Sequence, residues 1–141
     1  MEDHNTVKLP YPFDENSFID VDENIAELIE QLWKADINTS SCCQSSHGNG
    51  KKKNLGKIFI QFNSKDYLKF MSIIMDYRDL TDSEMILYDK FINDDKHTDF
   101  NIFDNNEHRD HPNIEINCNF YFEKEYYDLI LNKIKGYNTK K

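Results

Sequence analysis

No apolar run in the chain approaches the ~18–20 residues that a membrane span needs, and the opening stretch MEDHNTVKLP lacks the apolar core of a secretory signal. Positive charge is scarce as well. Seventeen Lys+Arg stand against 26 Asp+Glu, a net charge of −9, which excludes a protein whose whole surface meets nucleic-acid phosphate. The three cysteines, Cys42, Cys43 and Cys118, cannot all pair within the chain, and a vicinal Cys42–Cys43 disulfide would be strained. Reduced thiols in a cytoplasmic setting are expected. Alanine and arginine occur only twice each, against 16 Asn, 15 Ile and 15 Lys. That is the usage of AT-rich codons, and it points to an AT-rich genome such as those of some bacteria, protists or large DNA viruses. Aromatic residues, by contrast, make up 13% of the chain, which argues against disorder. A length of 141 residues suits one soluble domain that buries its own core.

Residues 1–17 read as an extended N-terminal arm, with Tyr11 and Phe13 beside Pro10 and Pro12 available to lie on the core. A single domain is expected over 18–137, followed by a basic tail at 138–141. Ile25, Leu28, Ile29, Leu32 and Trp33 recur at helical spacing behind Asp22, which predicts a helix over about 22–35. Ile37 to Gln44 reads as a short strand entering a loop, and KIFIQF (57–62) as a strand. Ser64 is expected to cap a helix with Tyr67, Phe70, Met71 and Ile74 on its apolar face. Thr81 or Asp82 would cap another carrying Met85, Tyr88 and Ile92. DFNIF (99–103) and IEINCNFYF (114–122) read as strands, and a last helix is expected over about 124–135 with Gly136 as its stop.

Sliding the chain against itself by 60 residues places Ile58, Ile60 and Phe62 on Cys118, Phe120 and Phe122. The set Tyr67, Phe70, Met71, Ile74 falls on Tyr127, Ile130, Leu131, Ile134, and Asp22, Ile25, Leu28, Leu32 on Asp82, Met85, Tyr88, Ile92. The expected fold is therefore α+β, an antiparallel sheet packed with helices. A tandem αββα duplication, with halves 18–77 and 78–137, would account for the match.

Chemistry concentrates in Thr39-Ser40-Ser41-Cys42-Cys43-Gln44-Ser45-Ser46-His47, where a strand leaves the core. A cysteine nucleophile needs a thiolate, and His47 with Lys51, Lys52 and Lys53 is the nearest positive environment. On the structural alternative, one cysteine faces the core and the other lies in a polar strand end. Cys42, Cys43, His47, His97, His108, His111 and Cys118 are the metal-ligating candidates; His108-x-x-His111 with Cys118, interrupted by Pro112, comes nearest to a zinc site, though its spacing is not a strong pattern. Asp94, Asp95, Asp104 and Asp110 lack EF-hand spacing, and Glu23, Glu27 and Glu30 read as a solvated helix face. Nucleotide-binding glycine motifs and the hydrolase nucleophile elbow are missing, which disfavours dinucleotide enzymes, P-loop NTPases and α/β-hydrolases. The lysine run suits either phosphate contact or a solubilising loop.

The stretch Trp33-Lys34-Ala35-Asp36-Ile37-Asn38-Thr39-Ser40-Ser41-Cys42-Cys43-Gln44 resembles small uncharacterised proteins of phages and large DNA viruses. In these a helix ending in Leu-Trp runs into Gly-Ile-x-Thr-x-x-Ser-Cys-Gln-Gly. Ile37, Thr39, Cys43 and Gln44 match; Asp36 stands for the first Gly, Cys42 for the Ser and Ser45 for the last Gly. The resemblance covers roughly 20–75 and implies a shared local structure or site at Thr39, Cys43 and Gln44, but no activity. Thr39-Ser40-Ser41-Cys42 is also similar to a strand of the wybutosine-synthesis methyltransferase family, without the Gly-Arg that follows there.

The reading favoured by these residues is a non-enzymatic accessory protein of viral or phage origin. It would recognise a protein or small-molecule partner through Thr39, Ser41, Cys42, Cys43, Gln44 and His47, with Lys51 and Lys52 on the adjoining loop. No cofactor is expected. The alternatives are a thiol- or metal-dependent enzyme centred on Cys42, Cys43 and His47, and an RNA or nucleotide binder using Lys51–Lys53.

Overall fold

A computed structural model describes residues 5–45, 55–93, 98–104 and 114–140. The N-terminal segment forms a hairpin in which β1 (Thr6–Pro10) pairs antiparallel with β2 (Phe18–Asp22). A turn of 3-10 helix at Glu23–Ile25 leads into α1 (Ala26–Lys34), and β3 (Ser41–Cys43) follows. Next come β4 (Ile58–Asn63), α2 (Ser64–Ile74), α3 (Asp82–Asn93), β5 (Thr98–Asp104) and β6 (Ile114–Phe122). A second 3-10 turn, Lys124–Tyr126, opens α4 (Tyr127–Thr139). The four later strands form one antiparallel sheet in the order β3-β4-β6-β5, so the architecture is α+β as expected.

Period-two alternation puts Ile58, Ile60, Phe62, Phe120 and Phe122 on one face, where they join the helices in a single core. Every member of the α1 stripe, Ile25, Leu28, Ile29, Leu32 and Trp33, is buried there, together with Leu9 and Val21 of the hairpin. Phe70 lies against Phe62, with ring centroids 4.8 Å apart, and meets Phe120 edge-on at 5.2 Å. From the expected arm, Tyr11 packs edge-on against Trp33 at 5.4 Å and its hydroxyl donates to Asn38 Oδ1 at 2.6 Å.

The central pairing is symmetric in sequence. Ile60 faces Phe120, its own equivalent 60 residues on, while Ile58 and Phe62 face each other's equivalents, Phe122 and Cys118. After the hairpin the order helix, strand, strand, helix occurs twice, as α1-β3-β4-α2 and α3-β5-β6-α4. The outer strands break the match: Cys42 faces Ile60, but Phe120 faces Thr98, and Ile102, which lies 60 residues after Cys42, faces Ile116.

Three local expectations change. Asn63 rather than Ser64 caps α2, its Oδ1 accepting the Asp66 N–H at 2.8 Å. On α3 the buried residues are Tyr88 and Phe91, whereas Ile92 is exposed, because the helix docks through the Tyr88 hydroxyl, which donates to the Met75 carbonyl at 2.7 Å. Gly136 does not stop α4. The helix runs on to Thr139 and takes in two residues of the expected tail, with Asn138 Nδ2 donating to the Gln31 carbonyl and Gln31 Oε1 at 2.9 and 2.8 Å. At α3 the cap is Thr81: its Oγ1 accepts the Glu84 N–H at 3.2 Å while Glu84 Oε1 accepts the Thr81 N–H at 3.1 Å, a reciprocal capping box.

Candidate functional site

The segment singled out in the sequence is divided residue by residue among different tasks. Thr39 is buried, and its Oγ1 accepts the indole N–H of Trp33 at 3.2 Å. Without that acceptor the indole N–H would be buried and unpaired, so Thr39 serves the core. Ser41, Cys42 and Cys43 pair with Gln61, Ile60 and Phe59 of β4, and alternation sends neighbouring side chains to opposite faces. Cys42 packs against the helix-side core. Burial above all, with the Asp22 carboxylate and Cys43 adding to it, pushes its thiol up to about 12. Cys43 points the other way and donates through Sγ to the Ser45 carbonyl at 3.2 Å. Burial first, and the nearby Asp22 second among the effects that raise it, hold this thiol above its ordinary value too. Cys118 is buried, and that burial raises its thiol as well.

A nucleophilic or metal-binding cysteine requires the opposite shift. Because Cys42 and Cys43 lie on opposite faces of the sheet, they do not converge on one ion. Among the described residues no group of three or more His, Cys, Asp or Glu is placed to hold a metal. His47, Lys51, Lys52 and Lys53, together with His97, His108 and His111, lie outside the described residues.

Gln44 closes a clasp between the end of β3 and the start of α1. Its Oε1 accepts the Asn24 N–H at 3.2 Å, while its own backbone N–H donates to Asp22 Oδ2 at 2.8 Å. Both bonds satisfy amide groups that a helix start or strand end leaves open. A cavity of about 200 Å³ opens beside this clasp, lined by Asn24, Ile25, Gln44, Ile58, Lys124 and Tyr127. Ile25 and Ile58 make part of the lining apolar, and the other four residues carry polar groups. Among the described residues, neither the Gln44 Nε2 amide nor the Lys124 ammonium has a partner. Burial chiefly raises the Tyr127 phenol, against a backbone hydrogen bond at Leu28 that lowers it. The arrangement offers hydrogen-bond donors around a small apolar pit, suited to binding an acceptor group.

The sheet face away from the helices carries a second polar feature. Ser41, Gln61 and Asn119 stand in register across β3, β4 and β6. Gln61 Nε2 donates to Asn119 Oδ1 at 2.7 Å, and Asn119 is only 3% exposed. Phe59 and Tyr121 flank the row with centroids 5.0 Å apart.

Of the candidate site residues named from sequence, Gln44 alone lines the cavity. Lys124, Tyr127 and Asn24 were legible only as members of helix starts, since nothing in a linear sequence brings the first turns of α1 and α4 together. Glu23, Glu27 and Glu30 are exposed, as a solvated face requires. No helix among the described residues is long and apolar enough to cross a membrane. No protein-family model, curated protein or solved structure matches the chain.

Proposed function

We propose that the chain is a non-enzymatic binding protein, a cytoplasmic accessory factor of viral or phage origin, and that it recognises an acceptor-bearing group on its partner at the β3 end. The observation that carries this reading is the open cavity beside Gln44, where a carboxamide N–H pair and the Lys124 ammonium, both without a partner among the described residues, line the same space as apolar Ile25 and Ile58. The group it would take is a carbonyl or carboxylate on a small apolar stem. The thiol-enzyme alternative is opposed by the raised Cys42 and Cys43 thiols, and the RNA alternative by the net charge of −9. We also infer that the two halves descend from a tandem duplication. This inference draws support from the β4–β6 register centred on Ile60 and Phe120.

N-acetylglycine, which carries both a carbonyl and a carboxylate, is a suitable probe. Titrated into ¹⁵N-labelled protein, it should produce saturable amide shifts at Asn24, Gln44, Lys124 and Tyr127. Gln44→Glu keeps the oxygen that holds Asn24 but loses the amide donors, and should abolish those shifts while the protein stays folded. Equal binding by the variant, or no shift at these positions, would remove the cavity from the function.

A further inference from the structure

A second cavity, of about 370 Å³, is walled by the end of α2, the connection to α3 and the last two turns of α4. Its volume falls within the range of small-molecule sites. Three cations and three carboxylates border it, and their pairing is uneven. Arg78 is held bidentately by Asp76, at 2.9 and 2.7 Å, and Lys140 is paired with Asp79 at 3.2 Å. Glu84 is committed to the capping box with Thr81. That leaves Lys133, whose ammonium has no ion-pair partner among the described residues and lies 6.0 Å over the ring of Tyr88. Burial, its largest influence, pulls the amine below its ordinary value, outweighing the Asp76 and Glu84 carboxylates, which favour its charge from beyond ion-pair distance.

A second observation is independent of charge. Gly136 lines the same cavity in the interior of α4. Its φ is not in the left-handed region, and a Cβ built there would meet nothing within 4 Å. A glycine inside a helix costs stability relative to alanine, and neither backbone conformation nor packing requires one at this position. What a larger side chain would do is occupy the cavity. Ile73, mostly buried, and Tyr137 supply apolar surface beside the gap.

We propose that this cavity binds a small organic anion, a carboxylate or phosphate monoester on an apolar body. Its charged head pairs with Lys133, with Arg78 and Lys140 at the rim, and its body lies along Ile73, Tyr137 and the bare backbone of Gly136. The site is separate from the cavity beside Gln44 and shares no residue with it, so the two stand or fall independently.

Benzoate, phenyl phosphate and neutral benzamide, each titrated into the ¹⁵N-labelled full chain, test the proposal. At least one of the two anions should give saturable shifts confined to amides of residues 76–80 and 132–137, and the tighter of them identifies the head group. Benzamide should give none. Lys133→Met, which keeps the length of the stem without the charge, should weaken binding about tenfold or more. Gly136→Leu should also block binding, with a melting temperature at or above that of the parent, which separates occlusion from misfolding. If neither anion gives saturable shifts at these residues, if benzamide binds as well as the anions, or if Lys133→Met binds as tightly as the parent, the proposal is overturned.

Discussion

Two residues carry the sharpest consequences of their local geometry. Asp36 follows α1 with φ of +62°, a left-handed conformation that ordinary L-residues enter at a cost and glycine enters freely. The Asp36 and Ile37 N–H groups donate back to the Trp33 and Leu32 carbonyls at 3.0 Å each, closing the helix end. Asp36→Gly should therefore stabilise the fold by about 0.5 kcal/mol or more, read as a higher urea midpoint with unchanged slope; a lower midpoint would contradict the strain argument. Cys42 is the second case. Its thiol, raised from 9.0 to about 12 mainly by burial, stays protonated in the folded chain where the unfolded chain ionises. The folded state then binds more protons, so this contribution to stability is complete below pH 9 and is lost as pH rises toward 12. Between those limits the parent should lose stability faster than Cys42→Ala by up to about 1.4 kcal/mol per pH unit. Parallel pH profiles for the two proteins would show that the thiol does not titrate as its burial dictates.

Elements were legible from sequence wherever a periodic apolar pattern coincided with burial on one face. The α1 stripe and the alternation in β4 and β6 are such cases, because both are dictated by core contact alone. Ends were less legible. Asn63 and Ser64 are both good cap residues, and only the path of the chain out of β4 decides that Asn63 reaches the open amide of Asp66. Gly136 reads as a stop, yet α4 continues because Asn138 anchors its last turn to Gln31 of α1, 107 residues earlier. The same limit governed the candidate site. Thr39, Cys42, Cys43 and Gln44 stood out by residue type, and the fold scatters them. Thr39 holds Trp33, Cys42 enters the core, Cys43 turns to the other face, and Gln44 alone reaches a cavity. Lys133 and Gly136 were invisible as a pair, since their meaning depends on a cavity wall formed by the α2–α3 connection.

At the scale of the whole molecule, the pairing of β4 with β6 makes the two halves interdependent. The core residues Ile58, Ile60 and Phe62 come from the first half and Phe120 and Phe122 from the second, and all of them lie in one cluster. Separating the halves would expose these side chains and leave β4 and β6 as open edges, each with an unpaired row of backbone donors and acceptors. A fragment of this size buries too little apolar surface to offset its chain entropy once half of its core partners are gone. Chains 1–77 and 78–141 should therefore be largely unfolded when alone, lacking a cooperative thermal transition by circular dichroism, and should fold on mixing. Trp33, the sole tryptophan, reports the outcome directly. It is 6% exposed in the intact chain, so its emission should be red-shifted in fragment 1–77 and return to the blue when 78–141 is added. A cooperative transition for 1–77 as a monomer would mean that the first half closes its own core. The β4–β6 seam would then be a docking surface between two domains rather than the centre of one.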